Sequence, residues 1–268
     1  MKKTLLAVLF LISIFFCSGQ KPAGKLTWNI NPYENKVFIE NKGQFDKKNG
    51  IDDSNISYAV TNMGTQYYFT PAGWTYRHDE VRETTGEEIS STARANAAAR
   101  EEGEEEKEHR LGGKTETSYI HMNWVGSNPD ARIVASDAVT EYFNYVNLDH
   151  KPGTTTRANA WKKITYQNLY PGIDVEYTFP EGKRGIEYTL IMHPGAEPSV
   201  IKMLYTDMSG IIMDEGDNIK IQTSFGDFID HAPVTHYENG NAVESAFQLS
   251  GNVVSFRINK SQITNHKS

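Results

Sequence analysis

Asp174 and Glu176 lie two residues apart in a run, Ile173 to Phe179, whose apolar residues alternate with polar ones. In a strand, that spacing puts both carboxylates on one face. Glu187, beyond the turn Pro180-Glu181-Gly182, would join them from a paired strand. Three carboxylates on a sheet face fit two chemistries. Two carboxyls about 5–9 Å apart can flank a glycosidic bond, and a set of oxygen ligands suits Ca²⁺. The plainer role is a solvated outer face opposite an apolar inner one, with Lys183 and Arg184 as charge partners. That plainer role is the expectation, so no catalytic, cofactor-binding or metal residue is assigned. Asp174, Glu176 and Glu187 remain the candidates for Ca²⁺.

Other acidic and basic groups are less suggestive. Asp214-Glu215-Gly216-Asp217-Asn218 lacks the spacing of an EF-hand loop and is expected to be a hairpin turn. The eight histidines are scattered, without an H-E-x-x-H pair or a cysteine partner, which argues against zinc. Asp227, Asp230 and His231 are neighbours, but no serine in a Gly-x-Ser-x-Gly setting accompanies them. No glycine-rich phosphate loop opens a helix.

Aromatic residues offer another chemistry. Tyr67, Tyr68, Phe69, Trp74 and Tyr76 cluster about the Thr70-Pro71-Ala72-Gly73 turn, and Trp124 and Trp161 follow. Exposed rings stack on sugars, so Tyr67, Trp74 and Trp124 are the candidate carbohydrate contacts. The same residues fill the core of any β-sandwich. Adjacent Tyr67 and Tyr68 must point to opposite faces of a strand, which would leave one ring outward.

The elements that carry these residues read as strands. Ile173, Val175, Tyr177 and Phe179 alternate with polar residues, as do Ile186, Tyr188 and Leu190, and Val254, Phe256 and Ile258. Short turns at 180–182, 214–218, 224–226 and 238–241 separate such runs and favour antiparallel hairpins. The expected fold is all-β, with antiparallel, sandwich-like sheets. Strand, Gly-x-x-Pro turn and strand recur at Tyr119–Ile133 and Ile186–Val200, which suggests lobes over 37–150 and 151–258. One segment differs. Glu83 to Arg110 holds nine Glu against four Arg or Lys and no aromatic residue. Residues 83–113 are therefore expected to form a flexible or partly helical acidic insertion at the surface.

The amino terminus indicates location. Met1-Lys2-Lys3 is basic, Leu5 to Phe16 is apolar except for Ser13, and Cys17-Ser18-Gly19 supplies small residues. This is the pattern of a secretory signal peptide over 1–19, and it is too short to span a bilayer as a helix. Cys17 is the single cysteine. It is discarded if cleavage follows Gly19, the expected course, or becomes the first residue if it is lipidated. A mature chain from Gln20 has 249 of the 268 residues, and loss of Lys2 and Lys3 takes the net charge from −7 to −9. Such a charge disfavours nucleic acid and anionic lipid surfaces. An extension over 20–36 precedes the β-rich domain at 37–258, and a polar tail over 259–268 follows.

The run Tyr166-Gln-Asn-Leu-Tyr-Pro-Gly-Ile-Asp-Val-Glu-Tyr177 leads to Ile186-Glu-Tyr188 and His193-Pro-Gly-Ala-Glu-Pro-Ser-Val-Ile201. With Phe38-Ile-Glu-Asn-Lys-Gly-Gln-Phe45 upstream, and with Asn144-Tyr145 and Trp161, it resembles one family over about Val37 to Ile258. That family is the uncharacterised N-terminal domain of large secreted Bacteroidetes-type surface proteins. Its members precede β-propeller-like repeats, PKD or other Ig-like modules and a C-terminal sorting domain tied to gliding motility or type IX secretion. No catalytic residue comes with the resemblance. The chain departs from it in its long acidic insertion. It also lacks a closing Tyr-Asp…Ile-Asp-Pro stretch, as a truncated reading frame would. The expected function is a non-enzymatic structural or adhesion module, extracellular or on the outer cell surface, with the periplasm as the other compartment. Its expected partners are other surface proteins or downstream modules of the same polypeptide. A carbohydrate-binding module that takes polysaccharide is the alternative, and a secreted hydrolase is a third.

Overall fold

The structure is a computed structural model of the whole chain. It describes residues 6–15, 36–45, 55–62, 65–82, 114–146, 153–183 and 185–259. The acidic insertion, Cys17, most of the 20–36 extension and the tail from 260 lie outside the described residues.

The described chain is all-β, as alternation and turns predict. Its one helical turn is the 3₁₀ segment Pro198–Val200, and no helix among the described residues is long and apolar enough to cross a membrane. The strands are β1 (Leu6–Phe15), β2 (Phe38–Glu40), β3 (Tyr58–Asn62), β4 (Thr65–Thr70), β5 (Gly73–Arg82) and β6 (Lys114–Trp124). The long hairpin of β7 (Arg132–Val146) and β8 (Thr155–Tyr170) follows, then β9 (Ile173–Thr178), β10 (Ile186–Met192), β11 (Lys202–Thr206) and β12 (Gly210–Met213). The remaining strands are β13 (Ile219–Thr223), β14 (Gly226–Asp230), β15 (Val234–Tyr237), β16 (Ala242–Val243), β17 (Ser245–Ser250) and β18 (Val253–Ile258).

All the pairings are antiparallel, and β8 is the joint of the fold. One of its edges pairs with β7. The other meets β2 at Ala160 and Trp161, and β9 from Ile164 to Tyr170. From β2 a sheet runs β3-β4-β5-β6-β11-β18-β17. From β9 a second runs through β10 and β1 to β14 and β15. Aromatic contacts close the two sheets on each other. Phe69 of β4 meets Tyr177 of β9 edge to face at 5.1 Å, and Tyr76 of β5 meets Phe228 of β14 at 4.5 Å. Trp124 of β6 meets Tyr188 of β10 at 6.4 Å. One core thus draws on residues from Phe38 to Phe256. With β6 paired to β11 and β2 to β8, the two suggested lobes share sheets and core.

Local rules explain the joint. In β8 the register shifts between Tyr166 and Tyr170, with Asn168 in the left-handed region at φ 53°. Such a bulge bends a strand. The backbone N–H of Asn168 donates to Asp174 Oδ1 at 2.6 Å, and Asn128 Nδ2 donates to Asn168 O at 3.1 Å. Tyr166 Oη donates to Thr70 O and Tyr170 Oη to Val125 O, stitching β8 to the opposite sheet. At the β4–β5 turn, a Cβ on Gly73 would lie 1.9 Å from Met122 O, so only glycine lets β5 approach β6 there.

Tyr67 and Tyr68 do point to opposite faces, yet neither ring is outward. Tyr67 lies in the main core. Tyr68 enters a second apolar cluster with Ile39, Phe45, Ala158 and Ala160, which the far half of the β7–β8 hairpin covers.

Candidate functional site

Asp174, Glu176 and Glu187 share the outer face of the β9–β10 pair, as the alternation predicts. Each has its own setting. Asp174 uses both oxygens: Oδ1 accepts from the Asn168 N–H, and Oδ2 lies 2.9 Å from His193 Nε2. Glu176 pairs with Lys163 at 3.3 Å. Glu187 stands opposite Thr178, while Asp174 stands opposite Ile191, four residues further along β10. At about 3.4 Å per residue, that separates those two carboxylates by roughly 14 Å. Partial burial pushes Glu187 above the usual carboxylate range, against the pull of Lys183. Among the described residues, no group of three or more His, Cys, Asp or Glu is placed to hold a metal ion. The double substitution Asp174→Asn, Glu176→Gln keeps shape and removes charge. Melting curves of wild type and variant, each with Ca²⁺ and with chelator, are expected to show no Ca²⁺-dependent rise in either. A rise present only in the wild type would make this face a Ca²⁺ site, since a ligand at one hundred times its Kd adds about 2.7 kcal/mol.

The sugar-contact candidates are in the core. Tyr67, Trp74 and Trp124 are 8, 4 and 3 % exposed. Tyr67 packs edge to face on Trp74 at 5.8 Å, and Trp74 on Tyr205 at 6.1 Å. These rings present no free face for a sugar, and their role here is packing.

Asp214 is a turn residue: its Oδ1 accepts from the N–H groups of Gly216 and Asn218. Hydrogen bonds from Asn218 hold its carboxyl below the usual range. Asp227 pairs with Lys220 at 2.7 Å. Asp230, three residues on and therefore on the other face, is fully buried. Tyr188 Oη donates to Asp230 Oδ2 at 2.9 Å, while Oδ1 has no hydrogen-bond partner among the described residues. Burial pushes this carboxyl up to about 8. It also pushes the Tyr166, Tyr177, Tyr188 and Tyr205 hydroxyls well above their ordinary range. The alternation Phe228, Asp230 was the signal for an inward carboxylate.

Elsewhere, an open groove of about 440 Å³ is lined by Ser199, Glu244, Gln248, Phe256, Arg257 and Asn259, with Asn259 Nδ2 donating to Glu244 Oε2 at 3.1 Å.

A further exposed feature among the described residues is the outer side of the β7–β8 hairpin. Among the described residues, β7 pairs with β8 alone, and its other edge has no strand partner there. A register shift between Ala138 and Tyr142, with Asp137 at φ 58°, interrupts that edge and blunts it against strand pairing. The inner side chains Val139, Phe143 and Tyr145 pack on the second cluster. On the outer side Tyr142 is 49 % and Val146 64 % exposed, and the Arg157 guanidinium lies 3.7 Å from the Tyr142 ring centre. A stacked Arg–Tyr pair beside exposed apolar surface is a composition typical of binding hot spots.

A family profile described as a domain of unknown function, DUF7948, matches residues 38–267. The chain belongs to that family. Within the matched DUF7948 region fall both sheets except β1, the bulged joint at Asn168, the buried Asp230 and the β7–β8 hairpin. No curated protein and no solved structure matches the chain.

Proposed function

We propose that this chain is an exported, non-enzymatic structural and adhesion module that works at the cell surface or in the extracellular space. Two features of the sequence support the location: the signal-peptide pattern of residues 1–19, and the resemblance to N-terminal domains of large secreted surface proteins. The observation that carries the contact role is the outer face of the β7–β8 hairpin, with the Tyr142–Arg157 stack and Val146 exposed. The hairpin is held from beneath by its own apolar cluster, so it presents these residues on a rigid base. A rigid, preorganised anchor loses little entropy on binding. Its partners would be other surface proteins or downstream modules of the same polypeptide.

The carbohydrate reading then moves from the buried rings to Tyr142, whose ring has one face taken by Arg157. The test is the double variant Tyr142→Ala, Arg157→Ala of the mature domain. Its melting temperature is expected to stay near wild type, because both residues are exposed. Its binding to intact cells of the source organism should weaken tenfold or more, as loss of a hot spot of about 2 kcal/mol implies. Unchanged binding would remove the hairpin from the contact role. Binding to isolated polysaccharide, lost in the same variant, would select the carbohydrate reading.

A further inference from the structure

Strand β1 is the one strand that the export reading removes. Its backbone is inserted between β10 and the β14–β15 edge, antiparallel to both: Ile12 pairs with Ile186 and Asp230, and Leu6 with Met192 and Tyr237. Without it, β10 and β14–β15 face each other across a gap one strand wide, about 9–10 Å between strand axes. The inward residues along this gap are Ile186, Tyr188, Leu190 and Met192 of β10 and Asp230 of β14, all buried in the filled structure. An empty slot would wet two rows of backbone N–H and C=O groups and the edge of the main core.

We propose that in the exported protein the newly created amino-terminal segment, residues 20–35, takes the place of β1, with Leu26, Trp28 and Ile30 as its inward residues. The inference rests on the export reading above. Three observations support it. First, Lys25-Leu-Thr-Trp-Asn-Ile-Asn31 alternates apolar and polar, is free of Gly and Pro, and is bounded by Gly24 and Pro32. That is the sequence form of a strand with one buried face. Secondly, the chain resumes at the correct end of the slot. Lys36 Nζ donates to Pro180 O at 2.9 Å and to Lys183 O at 2.5 Å, on the turn that leads into β10 at Ile186. Residues 31–35 extend up to about 17 Å, and Lys183 lies at most about 11 Å from Ile186. Thirdly, the polarity fits. A strand antiparallel to β10 must leave the slot at Ile186, the end where Lys36 is fastened. The register that follows sets Ile30 opposite Ile186, Trp28 opposite Tyr188 and Leu26 opposite Leu190. Thr27 then stands opposite Thr189 on the outer face.

The mature chain has no cysteine, so a pair can be introduced cleanly. The protein recovered after export is first weighed to fix its amino terminus. Thr27→Cys with Thr189→Cys is expected to form an intramolecular disulfide on mild oxidation, whereas Thr27→Cys with Val134→Cys on β7 is not. A chain starting at Lys36 should melt well below the mature protein, and added 20–35 peptide should restore most of the difference. A Thr27–Thr189 disulfide between two chains would assign the slot to a second copy and overturn the intramolecular reading. No disulfide, with a Lys36-start chain as stable as the mature one, would also overturn it. Retention of residues 1–19 would overturn the export reading itself and leave the slot to β1.

Discussion

Tyr188→Ala is expected to cost about 3–5 kcal/mol, the range for removing a buried ring, with the loss of its hydrogen bond to Asp230 added to it. The ring is 2 % exposed and packs against Tyr177 and Trp124. Its hydroxyl is also the donor to Asp230 Oδ2. Alanine therefore leaves a ring-sized cavity and removes a hydrogen bond from a buried carboxyl, a loss of about 1–3 kcal/mol by itself. Against a typical domain stability of about 5–15 kcal/mol, the variant should be marginal. Tyr188→Phe separates the two effects by keeping the ring and deleting the donor, and it should show only the smaller cost. Urea unfolding measures both through the midpoint at constant slope. A change below about 1 kcal/mol for Tyr188→Ala would mean that the two sheets do not close on this ring.

Asp230→Asn should change how stability depends on pH. Burial holds the Asp230 carboxyl at about 8 in the folded chain, against about 3.9 in an unfolded one. Between those values the folded state keeps a proton that the unfolded state has released. Stability from this group is therefore greatest at low pH and falls as pH rises through the window, by about 1.4 kcal/mol per unit, becoming flat above about pH 8. Asparagine does not titrate. The stability difference, variant minus wild type, should thus increase by several kcal/mol from pH 4 to pH 8. Groups common to both proteins, such as Glu187 and His231, cancel in that difference. A difference independent of pH would show that Asp230 titrates alike in the folded and unfolded chain.

The strands that carry the core were legible because their period is strict. Ile173, Val175 and Tyr177, and Ile186, Tyr188 and Leu190, are inward as the alternation requires, and the 180–182 and 214–218 turns join hairpins. One ring of the Tyr67–Tyr68 pair was expected outward, and neither is, for a physical reason. Alternation gives the side of a sheet but not what covers it, and here the far half of the β7–β8 hairpin covers the reverse face. Asp230 was equally readable from its parity with Phe228. Polarity argued for an outer position, and only tertiary packing, with Tyr188 as donor, holds a carboxyl inside. The Asp174–His193 pair spans nineteen residues. It follows from the β9–β10 register, which a sequence gives only once the turn length is known. The stitching by Tyr166 and Tyr170 across the two sheets had no local signal, because their partners are backbone carbonyls from 32 to 96 residues away. The hairpin face with Tyr142 and Arg157 was missed because exposure of a single ring cannot be told from burial by composition.

The export claim is tested most directly by recovering the protein from the outside of intact cells and determining its intact mass and first residue. The account predicts a surface-accessible chain that begins at Gln20, carries no lipid and is removed from intact cells by added protease. A full-length chain from Met1, protected inside the cell, would contradict it.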